Sequence, residues 1–176
     1  MAQSSKNKEK TELKNLEDLF VDTLKDLYDA EHQIVKALPK MIDQAQSNEL
    51  KQGFKDHLEM TRRQIDRLDQ IFKEMKMPAE GKRCKGMEGL IKEGDEVMQM
   101  SMDAAVKDAA LIAAAQKIEH YEISGYGTAR TYAQALGHQD MARLLDQTAD
   151  EEGKTDKKLT ALAEGHVNPK AKAGGK

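Results

Sequence analysis

Gln116-Lys117-Ile118-Glu119-His120-Tyr121-Glu122 decides how this chain is read. It lies inside one helical pattern from Asp108 to Leu136. The apolar or small positions Leu111, Ile112, Ala115, Ile118, Tyr126, Ala133 and Leu136 share a face at the helical turn of about 100° per residue. Glu119 and Glu122 fall on that same face. Burying an ionised carboxylate without a partner costs at least several kcal/mol. Two of them in an apolar seam require a cation between them, or shared protons.

The flanking sequence repeats the pattern in three more long helices. The first spans Thr11 to Ala45, with a stripe of Leu13, Leu16, Phe20, Leu24, Leu27, Ile34, Leu38 and Met41 broken only by Glu31. Pro39 predicts a kink near Ala37–Leu38, and Ser47-Asn48 supplies a turn and an N-cap. The second helix spans Asn48 to Met75 with Leu50, Phe54, Leu58, Ile65, Leu68 and Phe72 inward. His57 and Thr61 lie on or beside that stripe, whereas Glu59 turns to solvent. Met77-Pro78-Ala79-Glu80-Gly81 ends the helix. In the helix that opened this reading, Gly125 and Gly127 predict a close helix contact or a bend, and Leu136-Gly137-His138 a C-cap. The last helix spans Gln139 to Ala163, striped by Met141, Leu144, Leu145, Thr148, Thr155, Leu159 and Leu162. Glu152 stands at the edge of that stripe and Glu151 just off it.

Four single-striped helices without a strand signal predict an all-α four-helix bundle. The turns inside the first and last pairs are short, so each pair is an antiparallel hairpin. The connection from Pro78 to about Lys107 carries a short amphipathic helix over Met87–Met100. It is long enough to cross the whole bundle and start the third helix parallel to the second, the ferritin-like arrangement. The predicted domain covers residues 11–167, between disordered tails at 1–10 and 168–176.

Composition narrows the function classes. The chain has 176 residues, 34% of them charged, a net charge of −3 and no Trp. That balance gives no nucleic-acid footprint. No stretch of 18 apolar residues predicts a membrane span. The single Cys84 excludes an internal disulfide and suits a reducing cytoplasm, as does the polar N-terminus, which reads as no secretory signal. Arg83 and Lys85 flank Cys84, but the reading taken is a free thiol without a role. Tyr28, Tyr121, Tyr126 and Tyr132 fit electron or hydrogen-bond partners of a metal site, but the reading taken is packing residues without a role, and His32, His120, His138 and His166 are read as solvated.

The polar interruptions coincide in height. Glu31 stands about 16 residues before the first turn and His57 about 10 after it; Glu119 and Glu122 precede the last turn by about 16 to 19, and Glu152 follows it by about 14, at 1.5 Å per residue. One layer therefore receives carboxylates from three helices and an imidazole from the fourth. Singly, Glu31 fits a buried ion pair or a hydrogen-bonded neutral acid, His57 a core histidine and Glu119/Glu122 a Lys or Arg network; jointly they fit a metal site. Di-iron bundles use one Glu from each of two helices plus Glu-x-x-His from each of the other two. Here the second helix lacks that Glu and the fourth lacks the His, with Asp156 as a longer-reach substitute. The candidate ligands are Glu31, His57, Glu119, Glu122, Glu152 and Asp156, for one or two ions. Oxygen-rich sets of this kind suit iron or manganese, less often zinc.

Leu27-Tyr28-Asp29-Ala30-Glu31, His57-Leu58-Glu59, Met87-Glu88-Gly89-Leu90-Ile91, Asp108-Ala109-Ala110-Leu111-Ile112, Ala114 to Ile123, and Glu151-Glu152-Gly153-Lys154-Thr155-Asp156 resemble the bacterial YciF/YciE-type stress-response proteins. The resemblance covers about Leu13 to Ala163. It implies a ferritin-like, rubrerythrin-related domain with a di-metal site, a homodimer, a bacterial cytoplasm and a stress setting, but no particular reaction. Two functions follow as expectations: peroxide or oxygen chemistry at a carboxylate-bridged di-iron site, or a non-enzymatic dimer that binds metal, sequesters iron or plays a structural part.

Overall fold

A computed structural model describes residues 12–174; the predicted disordered tail at 1–10 lies outside them. The helices are α1 (Leu16–Gln44), α2 (Asn48–Glu74), α3 (Lys85–Gln99), α4 (Ala104–Ala135), α5 (Gln139–Leu162) and α6 (Asn168–Ala173), with a π-turn at Ala163–Val167 between the last two. No strand occurs among the described residues.

Helix ends follow local chemistry. Asn15 stops α1 short of the predicted start: its side-chain oxygen accepts from the Asp18 amide at 2.8 Å. Ser47 caps α2 in the same way through the Leu50 amide at 3.4 Å. Helix α1 continues through Pro39 to Gln44, so the proline does not end it. Gly137 closes α4 with φ +84°, and the His138 amide donates to the Ala133 carbonyl at 2.8 Å, the left-handed cap the sequence predicts.

Two adjacent charges fix the crossover. Lys107 Nζ donates to the carbonyls of Val97, Met98 and Met100 at the end of α3. Asp108 accepts the Gln46 amide at 2.6 Å and the Ser47 amide at 2.8 Å. The pair therefore ties the start of α4 both to the end of α3 and to the α1–α2 turn. Helix α4 begins there, one turn earlier than predicted, because residues that read as a polar linker cap two neighbouring segments. It runs parallel to α2. The result is a ferritin-like four-helix bundle of α1, α2, α4 and α5, with α3 lying in the long crossover.

The C-terminal segment departs from expectation. Residues 168–173, predicted disordered, form α6. Pro169 reads as a breaker, but the Asn168 amide donates back to the Ala163 carbonyl in the π-turn, and the proline falls in the first turn beyond it, where a missing N–H is tolerated. Val167 anchors this end by burying in the core.

The core is two apolar clusters. One, toward the α1–α2 turn, holds Ile34, Leu38, Phe54, Leu111 and Leu159 among others. The other, toward the α4–α5 turn, holds Phe20, Leu68, Phe72, Tyr126 and Leu145. Buried polar side chains from all four long helices lie between them: Glu31; His57, Thr61 and Gln64; Glu119 and Glu122; Thr148, Glu152 and Thr155.

Candidate metal centre

Each long helix turns its polar residues into this layer because they occupy the inward face of an otherwise apolar stripe. His57, Glu119, Glu122 and Glu152 each present a ligand atom, all within 4.8 Å of one another. Across a metal ion with bonds of about 2.1 Å, ligand atoms sit up to about 4.2 Å apart, so small rotamer adjustments would close the group on a cation. His57 Nε2 is 3.6 Å from Glu119 Oε1.

The hydrogen-bond inventory is what a packing role fails to explain. Both nitrogens of His57 are buried without a protein partner, and both oxygens of Glu122 and Oε2 of Glu31, Glu119 and Glu152 meet no donor except one another's carboxyls, Glu31 with Glu122 and Glu119 with Glu152. Native interiors leave few such atoms unpaired. Burial, reinforced by the neighbouring Glu152 carboxylate, pushes the Glu31 carboxyl up to about 8. Burial and the surrounding carboxylates hold Glu119 and Glu122 well above the usual range, and burial raises Glu152 as well. Burial lowers His57 to about 4, which keeps its imidazole neutral. A neutral imidazole is the ligand form, whereas the carboxyls must give up protons as a cation enters.

A supporting ring orients the carboxylates. Tyr126 donates its hydroxyl to Glu31 Oε1, and Gln64 donates to Glu152 Oε1. Arg67 grips Glu151 with two bonds of 2.7 Å and reaches Thr148 Oγ1 at 3.1 Å. Burial alone would raise the Glu151 carboxyl, but the Arg67 guanidinium holds it below its ordinary value. Positive charge therefore stands beside the layer without entering it.

The six candidate residues divide. Glu31 is buried in the layer, coupled to Glu152 and held by Tyr126. His57, Glu119, Glu122 and Glu152 converge. Asp156 stands at the edge: its carboxylate accepts from Gln116 Nε2 at 2.9 Å and lies 3.5 Å from His120 Nε2, outside the converging group. Glu59 faces solvent beside Arg62. Sequence reasoning missed Gln64 and assigned Tyr126 no role. Gln64 shares a helical face with His57 and Thr61, which was the available signal; Tyr126 sat on the stripe already, its hydroxyl hidden by its apolar body.

Compared with the di-iron pattern of bundles, Phe54 stands three residues before His57 on α2 where a Glu would be, and Thr155 three residues after Glu152 on α5 where a His would be. Thr61 and Thr155 return their hydroxyls to the backbone carbonyls of His57 and Glu151, at 3.0 and 3.1 Å. His57, one turn before Thr61, and Glu122, one turn beyond Glu119, bring an imidazole and a further carboxylate. The donor set of four carboxylates and one imidazole fits a hard or borderline divalent cation.

Cys84 is not a reactive thiol set up by its basic neighbours. It is buried as the N-cap of α3, contacts the Tyr121 hydroxyl at 2.9 Å, and donates to Asp26 at 3.2 Å. Burial raises its pKa.

Fold and layer together define a class: a ferritin-like bundle with a buried carboxylate–imidazole cluster. The family model described as a domain of unknown function, DUF892, matches residues 15–172, and the chain belongs to that family. It is 47% identical to Protein YciF of Escherichia coli K12 over 160 residues, covering 90% of this chain and 96% of that protein. The crystal structure of the E. coli stress protein YciF superposes with a TM-score of 0.85 at 46% identity, over 89% of this chain and 99% of that one. YcfI from Rhodopseudomonas palustris gives 0.84 at 46% identity, over 87% and 98%. A Xanthomonas campestris protein, 18% identical with a TM-score of 0.71 over 88% and 95%, shares the fold. The resemblance to the YciF-type proteins is thus borne out.

Proposed function

We propose that this protein is a metal-binding bacterial stress protein in which iron is held by Glu31, His57, Glu119, Glu122 and Glu152 and serves peroxide or oxygen chemistry. The observation that carries the reading is the buried layer in which four carboxyls find hydrogen-bond partners largely among themselves and both imidazole nitrogens of His57 find none. Four ionised carboxylates around a neutral imidazole carry four negative charges, which two divalent ions balance. Manganese suits the same donors, zinc less often.

Ferrous iron held by these residues would supply the electrons that reduce peroxide or oxygen, passing to the ferric state. The chain's own residues fix the carboxylates before any ion arrives. Tyr126 orients Glu31, and Gln64 orients Glu152. Arg67 and Glu151 close the outer side, and the apolar clusters above and below restrict water. His57 remains neutral and ready as a ligand. The protection this chemistry would give agrees with the relative titled a stress protein. The family resemblance further supports a cytoplasmic homodimer, which light scattering of the purified protein tests.

A second reading, metal binding without turnover, is favoured by the missing Glu of the second helix and the missing His of the fourth, where di-iron bundles carry Glu-x-x-His. Metal analysis of the purified protein tests both readings. The expected result is about two iron ions per chain and loss of metal in Glu119→Ala; full metal content in that variant overturns the assignment. Mixing the ferrous protein with peroxide in a stopped-flow cell then separates the two. An absorbance change on mixing supports redox chemistry, and no change leaves binding as the role.

A further inference from the structure

A cavity of about 460 Å³ opens between α2 and α5 and ends against His57 and Glu119. Its size falls in the range of small-molecule sites. Ile34, Leu38 and Met41 of α1, Phe54 of α2, Ile118 of α4 and Leu159 of α5 form its walls. At its inner end the surface changes character: both His57 nitrogens are buried there without a partner, and Glu119 Oε2 meets no donor except the Glu152 carboxyl. At the rim stand Glu49, Asp56 and Lys158, more acid than base, which gives no anion site.

Gly53 lines the opening. It sits within α2, where a glycine costs about 1 kcal/mol against alanine. A Cβ built there meets nothing within 4 Å. No neighbour excludes a side chain from this position, so the glycine answers no packing demand. Its effect is to leave the entrance wide.

We propose that this cavity binds a medium-chain aliphatic molecule carrying one terminal oxygen group, with the chain along the apolar walls and the oxygen end at His57 and Glu119. Branched and unbranched aliphatic side chains make most of the wall, and Phe54 is the one aromatic hydrocarbon ring among the lining residues. A pure hydrocarbon would set its end against a polar floor, and a small polar solute would leave the walls wet; a molecule with one end of each kind suits both. The inference rests on the metal reading for the chemistry met by the oxygen end, and makes the substrate of that site apolar.

The test is calorimetric titration of the full chain with decanol, with glycerol as the polar control, on wild type, Gly53→Trp and Gly53→Ala. Metal content and thermal unfolding are measured on each. Wild type and Gly53→Ala are expected to bind decanol saturably and glycerol not at all. Gly53→Trp plugs the entrance and is expected to weaken decanol about tenfold or more with metal content unchanged. Absence of saturable binding to wild type, or equal affinity in Gly53→Trp, overturns the proposal. So does a fall in particle mass on light scattering of Gly53→Trp, which would make the opening an interface between two copies. Metal without decanol binding defeats this inference alone. Decanol binding to a protein that takes up no metal defeats the earlier reading and leaves the cavity as a ligand site.

Discussion

The same four helices close the bundle differently on either side of the polar layer. Toward the α4–α5 turn, Phe20, Phe72 and Tyr126 fill the interior, each at most 1% exposed. Toward the α1–α2 turn, the small residues Ala37, Ala115 and Gly53 line a space between α2 and α5 that remains open. One side is packed to exclude solvent and hold the carboxylates in place. The other admits something to the face of the cluster formed by His57 and Glu119. A buried charge layer needs a dry wall behind it, because low dielectric strengthens the hold on a cation; a site that reacts also needs an approach.

The contrast is most exposed to attack in the aromatic rings. Phe72→Ala removes a ring packed on all sides, and cores lose about 3–5 kcal/mol for such a change. Phe54 already has one face against the cavity, so Phe54→Ala forfeits fewer contacts and is expected to cost clearly less. Urea unfolding of the two variants measures both. Equal losses would mean that the open side is packed as tightly as the closed one.

The apolar periodicity made most of this arrangement legible, and particular residues show where it stopped. Glu31, His57, Glu119, Glu122 and Glu152 were readable because each breaks an apolar stripe, and a helix leaves a stripe residue nowhere to go but inward. On helix α2 the apolar pattern points Leu58 and Ile65 inward, whereas Gln64 and Ile71 are buried and Leu58 and Ile65 half-buried, a slight rotation of the face. A hydropathy pattern ranks Gln64 as surface because it cannot see the Glu152 carboxylate that satisfies its amide. Asp108 and Lys107 were invisible for the same reason: their partners are backbone groups of other segments. The cavity has no sequence signature, since it consists of what small residues on separate helices leave unfilled.

The second way to sharpen the comparison is pH, which asks whether the layer between the two sides is dry. In the metal-free protein Glu31 keeps its proton up to about 8, whereas an unfolded chain releases it near 4.5. The folded state binds more protons across that interval, so this contribution is whole below about 4.5 and is lost as pH rises through about 8. His57 acts oppositely. Its pKa falls from 6.5 to about 4, so its contribution is present above 6.5 and lost as pH falls through 4. Between pH 6.5 and 8 the carboxyls act alone, and the melting temperature of the metal-free protein is expected to fall across that window. Bound metal replaces the protons and flattens the profile. A flat profile without metal would mean that water reaches the carboxylates.

The smallest expected effect separates two glycines of α4. Replacing a helical glycine by alanine gains about 1 kcal/mol where the new methyl meets open space, largely by restricting the unfolded chain. Gly127 offers such space, because a Cβ there has nothing within 4 Å. Gly125 does not: its Cβ would lie 2.7 Å from Leu27 Cδ2, in the closed half of the core. This is the close contact the sequence left open as one of two possibilities. Leu27 is 1% exposed and has little room to move, and overpacking of that kind costs about 1–3 kcal/mol. Gly127→Ala is therefore expected to raise the urea midpoint, and Gly125→Ala to leave it unchanged or lower it. If Gly125→Ala stabilises as much as Gly127→Ala, Leu27 has slack, and the closed side of the layer is looser than its aromatic packing implies.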